Sequence, residues 1–216
     1  MLLYKYKSFE VFHQAVDILL NQRIYCPTPS QLNDPLEGLL GVTLPEHPET
    51  ESFDKKMMKS FRFWLAAKYL LDKHRICSFS ASPVNPLMWS YYGSGHSGMC
   101  LELDVSEWND SIFPVEYVDD LAIIDQSSIQ SLLKYKLVDW KHEEEYRMVF
   151  DHSDSNTYIN ANIKTVIIGS NIRQEYIKIL FEICKLKQYK IEFISFNTSG
   201  KASRVPIDLN YFTNLA

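Results

Sequence analysis

The segment DWKHEEEYRMVF, residues 139–150, sets three glutamates, a histidine and an arginine between a tryptophan and an apolar ending. The run into Met148, Val149 and Phe150 favours a strand from about Tyr146. A strand sends alternate side chains to opposite faces, so Glu143, Glu145 and Arg147 share one face while His142, Glu144 and Tyr146 take the other. Burying such a face is costly unless the carboxylates pair with the arginine or meet a ligand. A helix would instead spread the same charges over a solvated surface, with Glu143 and Arg147 an ordinary i,i+4 pair. The strand reading demands a sheet at this point and a cleft beside it. It predicts one carboxylate held ionised by Arg147 and another able to accept a hydroxyl hydrogen bond.

Strand-like segments recur around this one without regular helical crossovers, which favours a compact α+β domain, with mixed or antiparallel sheet and flanking helices, over a doubly wound fold. LLYKY is read as the first strand, followed by a helix capped by Ser8 with Phe9, Phe12, Val16, Ile18, Leu19 and Leu20 at helical spacing. RIYC is a second short strand and PTPSQLNDPLEG a loop. LPEHPETES is an exposed connection into a long helix, about Phe53 to Asp72, with Met57, Phe61, Leu65, Tyr69 and Leu70 on one face. HRICSFS, GMCLELD, IFPVEYVD, EEYRMVFD, IKTVIIGS and KIEFISF read as strands. NPLMWSYYG, SSIQSLLKYKLV and QEYIKILFEICKLK read as helices, the first opened by Pro86. No repeat or linker divides residues 1–216, so one domain is expected.

Chemistry-bearing residues gather in four places. Ser78 and Ser80 alternate in HRICSFS and face one way. Trp89, Tyr91 and Tyr92 follow, rings able to stack on a flat heterocycle. Asn33, Asp34 and Glu37 sit in NDPLEG, where they hold a turn or reach a ribose or cation. GSGHSG formally matches a dinucleotide fingerprint, but it leads from a helix into a strand. It is therefore read as a glycine turn, with His96 placed to cap it or to bond a ligand.

Several classes are disfavoured. A net charge of −5 supplies no general field for nucleic acid. The local set Lys55, Lys56, Lys59, Arg62 and Lys68 reads as a solvated helix face. There is no H-E-x-x-H, no clustered cysteine pair and no G-x-S-x-G, so no metal is expected and a serine hydrolase is not indicated. Cys26, Cys77, Cys100 and Cys184 are scattered and read as reduced core thiols. The opening MLLYKYKSFE turns polar at once and no apolar run approaches a membrane span. A cytoplasmic protein without membrane association is expected.

Taken in order, LYKYKSF, RIYCPTPSQLNDPLEG, CSFSASPVNPLMWSYYGSGHSGMCLELD and WKHEEEYRMV resemble a bacterial family of domains of unknown function that includes AbiGi-type abortive-infection proteins. The resemblance spans positions 3 to about 150. It rests on Leu3 to Tyr6, on Asn33–Asp34–Pro35 with Glu37, and on Phe79–Ser80. Leu87 to Trp89 with Tyr92, the turn Gly95, His96, Gly98 and Cys100, and Trp140, Glu143, Glu145 and Arg147 complete it. Tyr91 and His142 depart from its usual histidine and tyrosine.

A looser resemblance is to ADP-ribosyltransferases, which carry a basic residue or histidine on the first strand, a serine or tyrosine on a central strand and a late E-x-E. Here Lys5, Ser78 or Ser80, and Glu143 with Glu145 stand in that order. The resemblance implies NAD as substrate, with Tyr4, Lys5, Asn33, Asp34, Ser78, Trp89, Tyr92 and His96 binding it. Glu145 is then the main catalytic carboxylate, assisted by Glu143, Arg147 and Ser80. The implied setting is phage defence or a toxin–antitoxin pair, with a small molecule and a partner protein as ligands. Two alternatives remain open: a non-catalytic ligand- or partner-binding protein, and a metal-dependent nuclease using Asp34, Glu37, Glu143 and Glu145.

Overall fold

The computed structural model describes residues 1–34, 52–121, 129–151 and 157–207. Among the described residues, five α-helices and twelve strands build an α+β domain around one eight-stranded sheet. The strands are β1 (Leu2–Lys7), β2 (Arg23–Tyr25), β3 (His74–Ser80), β4 (Met99–Asp104), β5 (Ile112–Pro114), β6 (Glu116–Val118) and β7 (Tyr135–Leu137). They continue as β8 (Glu145–Asp151), β9 (Tyr158–Asn160), β10 (Ile163–Ile168), β11 (Lys190–Phe196) and β12 (Ala202–Pro206). The helices are α1 (Phe12–Asn21), α2 (Phe53–Leu71), α3 (Pro86–Tyr91), α4 (Ile129–Leu132) and α5 (Gln174–Lys187). The sheet order is β12-β11-β10-β4-β1-β3-β8-β5, with only β10 and β11 parallel. Two small sheets, β2 with β9 and β6 with β7, flank it.

Period-two alternation sorts the central strands. Leu101 and Leu103 of β4, with Val166 and Ile168 of β10, join Leu3, Ala15, Leu19, Leu180 and Cys184 in the main core, which lies against α1 and α5. Cys100 and Ile167 point the other way, to a second core with Tyr6, Met88 and Trp89. All four cysteines are buried free thiols. No helix among the described residues is long and apolar enough to cross a membrane.

The sheet opens in its middle. β1 pairs with β4 from Leu2 to Lys7 but with β3 only at Tyr4 opposite Ser80. Beyond that point the freed edge of β3 finds other partners. Ile76 donates its N–H to the Pro27 carbonyl at 2.9 Å, and Lys5 Nζ donates to the Ser78 carbonyl at 2.6 Å. The need to satisfy every buried backbone group draws the chain after β2 into the opening.

Several elements differ from expectation. Ser8 does not cap α1, which starts at Phe12 behind Val11. Its hydroxyl instead accepts from the Glu10 N–H and bonds Ser94. Of the helix expected over 127–138, the described part forms α4 at Ile129–Leu132 and then becomes β7, because Lys136 is drawn into a buried ion cluster. β9 and β12, short or polar strands, were not anticipated. On α2, Phe53, Met57, Phe61, Leu65, Tyr69 and Leu70 are exposed, and the helix is tied down near its end by buried Leu71 and by Asp72, which accepts from Ser30 N–H. Glu37 and most of LPEHPETES lie outside the described residues.

β1 is fixed from its far end by close packing. A Cβ at Gly98 would sit 2.3 Å from the Lys7 carbonyl oxygen. Gly98→Ala is expected to destabilise the fold by about 1–3 kcal/mol. Thermal denaturation should show a drop of about 2–4 °C per kcal/mol at this chain length.

A candidate active cleft at the split of the sheet

The cleft lies where β1 and β3 diverge, and its volume is about 130 Å³. That is of the order of a cavity that holds a single benzene-sized ring. Tyr4, Lys5 and Tyr6 line it from β1, and Ser78, Phe79 and Ser80 from β3. Pro27, Leu32 and Asn33 come from the loop after β2, and Met88 and Tyr92 from α3 and its C-cap. Lys136, Glu143, Glu145 and Arg147 close the end.

The two glutamates reach this end by different routes. Glu145 and Arg147 alternate on β8 as expected for a strand, but Glu143 ends a 3₁₀ turn spanning Val138–Glu143. Glu144 between them adopts a left-handed backbone, φ 44°, and its carbonyl accepts from the Ala81 N–H at 2.9 Å. Asn85 Nδ2 donates to the His142 carbonyl at 2.7 Å and fastens the turn to α3. The reversal at Glu144 lets Glu143 face the same cleft without belonging to the strand.

Lys136, Glu143, Glu145 and Arg147 are all buried, at 4 %, 3 %, 6 % and 0 % exposure. Two cations and two anions make the set neutral, the condition under which charges tolerate burial. Arg147 grips Glu145 with its fork, Nε to Oε1 and Nη2 to Oε2, both at 2.8 Å. A third nitrogen, Nη1, donates to the Leu133 carbonyl at 2.7 Å. Lys136 Nζ lies 2.6 Å from Glu143 Oε2 and 3.4 Å from Glu145 Oε2, over the Trp140 ring at 4.5 Å. The Tyr92 hydroxyl donates to Glu143 Oε1, and Asn33 Nδ2 donates to the same hydroxyl at 2.7 Å. Tyr117 Oη accepts from the Glu145 N–H at 2.8 Å.

Burial alone would push the Glu145 carboxyl up. The charge and hydrogen bonds of Arg147, with Lys136 and the Ser78 hydroxyl, overcome this and hold it at about 2. Burial raises the Tyr92 phenol above its ordinary range, and the Glu143 hydrogen bond and charge raise it further, so it stays a donor.

Lone-pair counting separates the carboxylates. Four sites are available on each. Glu145 receives two bonds from Arg147, one long contact from Lys136 and the Ser78 hydroxyl. Glu143 receives Tyr92 and Lys136, one on each oxygen, and retains capacity for a ligand hydroxyl.

Of the residues singled out from sequence, Tyr4, Lys5, Asn33, Ser78, Ser80, Tyr92, Glu143, Glu145 and Arg147 come together here. Three do not. Trp89 is fully buried beneath α3, edge-on to Tyr6, with Nε1 donating to the Pro83 carbonyl. His96 stacks on Trp89 and meets the edge of Phe196, away from the cleft. Asp34 is buried and is not among the lining residues. Lys136 and Tyr117 were missed; each sits in a segment whose pattern carries no motif, and the signal available was the odd lysine within an otherwise apolar YKLV. Comparisons with protein families, curated proteins and solved structures gave no match.

Removing a single charge leaves the others uncompensated. Lys136→Met is expected to destabilise the protein by about 3–5 kcal/mol, read by denaturant unfolding. Because Glu145 is depressed from 4.5 to about 2 on folding, its contribution is complete above pH 4.5 and is lost as pH falls towards 2. Glu145→Gln should lower stability at neutral pH and flatten this acid limb of the stability profile.

Proposed function

We propose that the cleft cleaves the nicotinamide–ribose bond of NAD, in the manner of an ADP-ribosyltransferase or NAD hydrolase. The observation that carries this is the pair of buried glutamates at the closed end of a ring-sized cleft, one member of it with unused acceptor capacity. Cleavage breaks the bond between the ribose C1′ and the nicotinamide nitrogen, which departs with the electron pair. A water or acceptor hydroxyl then bonds to C1′ and releases a proton. Positive charge grows on the ribose meanwhile, and carboxylates that hold its hydroxyls stabilise that state more than the ground state.

Glu143 is the carboxylate with this role, accepting a ribose hydroxyl, while Glu145, gripped by Arg147, supplies a fixed negative field. On the β3 side the Ser78 proton goes to Glu145 and the Ser80 proton to the Ser82 carbonyl, so these hydroxyls face a ligand as acceptors. Tyr6, Phe79 and Met88 provide apolar walls for the leaving ring. The volume admits the nicotinamide end, with the remainder of the dinucleotide outside the closed part. NAD acts as substrate, and consumption of it suits a phage-defence or toxin–antitoxin role like that of the abortive-infection proteins the sequence resembles.

The nuclease reading is weaker on a specific ground. The Lys136 ammonium stands between Glu143 and Glu145, where a shared metal ion would have to sit. Among the described residues no group of three His, Cys, Asp or Glu is arranged to hold a metal. A binding protein without turnover would use the same cleft.

Nicotinamide release from NAD, followed by chromatography with and without added acceptor protein, tests the proposal. The unaltered protein should release nicotinamide, and Glu143→Gln should slow it on the order of 10²–10³-fold. Unchanged turnover in that variant sinks the role of Glu143. Absence of release from the unaltered protein, with NAD still bound, supports the non-catalytic reading instead.

A further inference from the structure

A second cavity, about 530 Å³, lies on the other face of β1 between that strand, α1 and the β2–β9 ribbon. It shares Lys5 with the cleft. Lys5 and Lys7 are two apart on β1 and therefore project to the same side. Lys7 Nζ donates to the neutral amide oxygen of Gln14 at 2.8 Å. Burial, then the charge of Lys5, lowers the Lys7 ammonium from its ordinary range. The lining carboxylate, Asp17, is already clasped by Arg23 through both oxygens, at 2.9 and 3.1 Å. Lys5 Nζ also donates to the Ser78 carbonyl, a neutral acceptor that leaves its charge uncompensated, so the lysine pair forms a floor of like charge whose repulsion an anion would relieve.

The wall opposite is aromatic. Tyr25 and Tyr158 meet edge to face at 5.7 Å, and the Arg23 guanidinium lies 4.3 Å from the Tyr158 ring. Both tyrosines remain partly exposed, so a flat ligand can reach them. A cationic floor, a ring-bearing wall and a volume in the range of small-molecule sites are what a nucleotide requires: charge for its phosphate and a π surface for its base.

We propose that this cavity binds a nucleoside monophosphate-sized ligand, its phosphate between Lys5 and Lys7 and its base against Tyr158 and Tyr25. The site goes beyond the glycosidic-bond reading and stands without it, since it is read by binding alone. The shared Lys5 makes the two cavities neighbours, and occupancy of one is expected to alter the other.

Isothermal titration at about 50 mM salt, where phosphate contacts are least screened, tests it with AMP, adenosine and inorganic phosphate. AMP should bind at least about tenfold more tightly than either fragment. Lys7→Gln and Tyr158→Ala, each checked for an unchanged thermal midpoint, should both weaken AMP about fivefold or more, and Lys7→Arg should restore most of the affinity. AMP binding no tighter than adenosine, or unaffected by both substitutions, overturns the proposal, as does failure of AMP to bind at all. AMP binding with these dependences in a protein that leaves NAD intact would uphold this site and reject the glycosidic reading.

Discussion

The fork of Arg147 on Glu145 is the interaction on which the rest of the site depends. Both groups are buried on one strand, and a buried guanidinium is tolerable only with its donors filled. Its other donor reaches the Leu133 carbonyl, which draws in the chain leading to β7. β7 delivers Lys136, and Lys136 in turn demands a second carboxylate, Glu143. Glu143 then holds Tyr92 at the end of α3. One neutral set of four charges therefore ties together β7, β8, the 3₁₀ turn and α3. An apolar replacement of similar volume would fill the space, but it would leave a cleft with no fixed charge at its closed end.

The opening between β1 and β3 is the second constraint. A continuous ladder there would seal the sheet and leave no cleft. Instead the strands meet at one point, and the backbone groups they release are taken by Pro27 and by the Lys5 ammonium. Lys5 is thereby part of the wall of cavities on both faces. The charged floor of the cleft and the split above it are complementary: the split admits a ligand, and the ion cluster determines what charge that ligand meets.

Much of this was legible in residues 139–150. Alternation correctly set Glu145 and Arg147 on one face, and the same rule placed Ser78 and Ser80 together. Glu143 reached the shared face by another path, because a left-handed Glu144 reverses the chain where alternation assumes extended backbone. Trp89 and His96 looked like ligand-facing groups because an aromatic helix and a glycine turn suggest exposure. In the fold they stack on each other and complete the second core, since a ring that size contributes more by burial than by waiting for a ligand. Lys136 was missed for a different reason, its one signal being a lone lysine in YKLV. A lysine between apolar neighbours is ordinary in sequence, and only the tertiary pairing of β7 with the glutamates makes it a buried counter-ion.

The central claim is that Glu143, the less fully bonded carboxylate of a neutral buried cluster, meets the ligand while Glu145 stays locked to Arg147. A crystal structure of the protein soaked with NAD or with nicotinamide tests it most directly. A ring is expected between Tyr6, Phe79 and Met88, and for the dinucleotide a ribose hydroxyl within hydrogen-bond distance of Glu143, with the Arg147–Glu145 fork unchanged. A cleft left without ligand density beside Glu143, or a ligand bonded to Glu145 after Arg147 has let go, would contradict it.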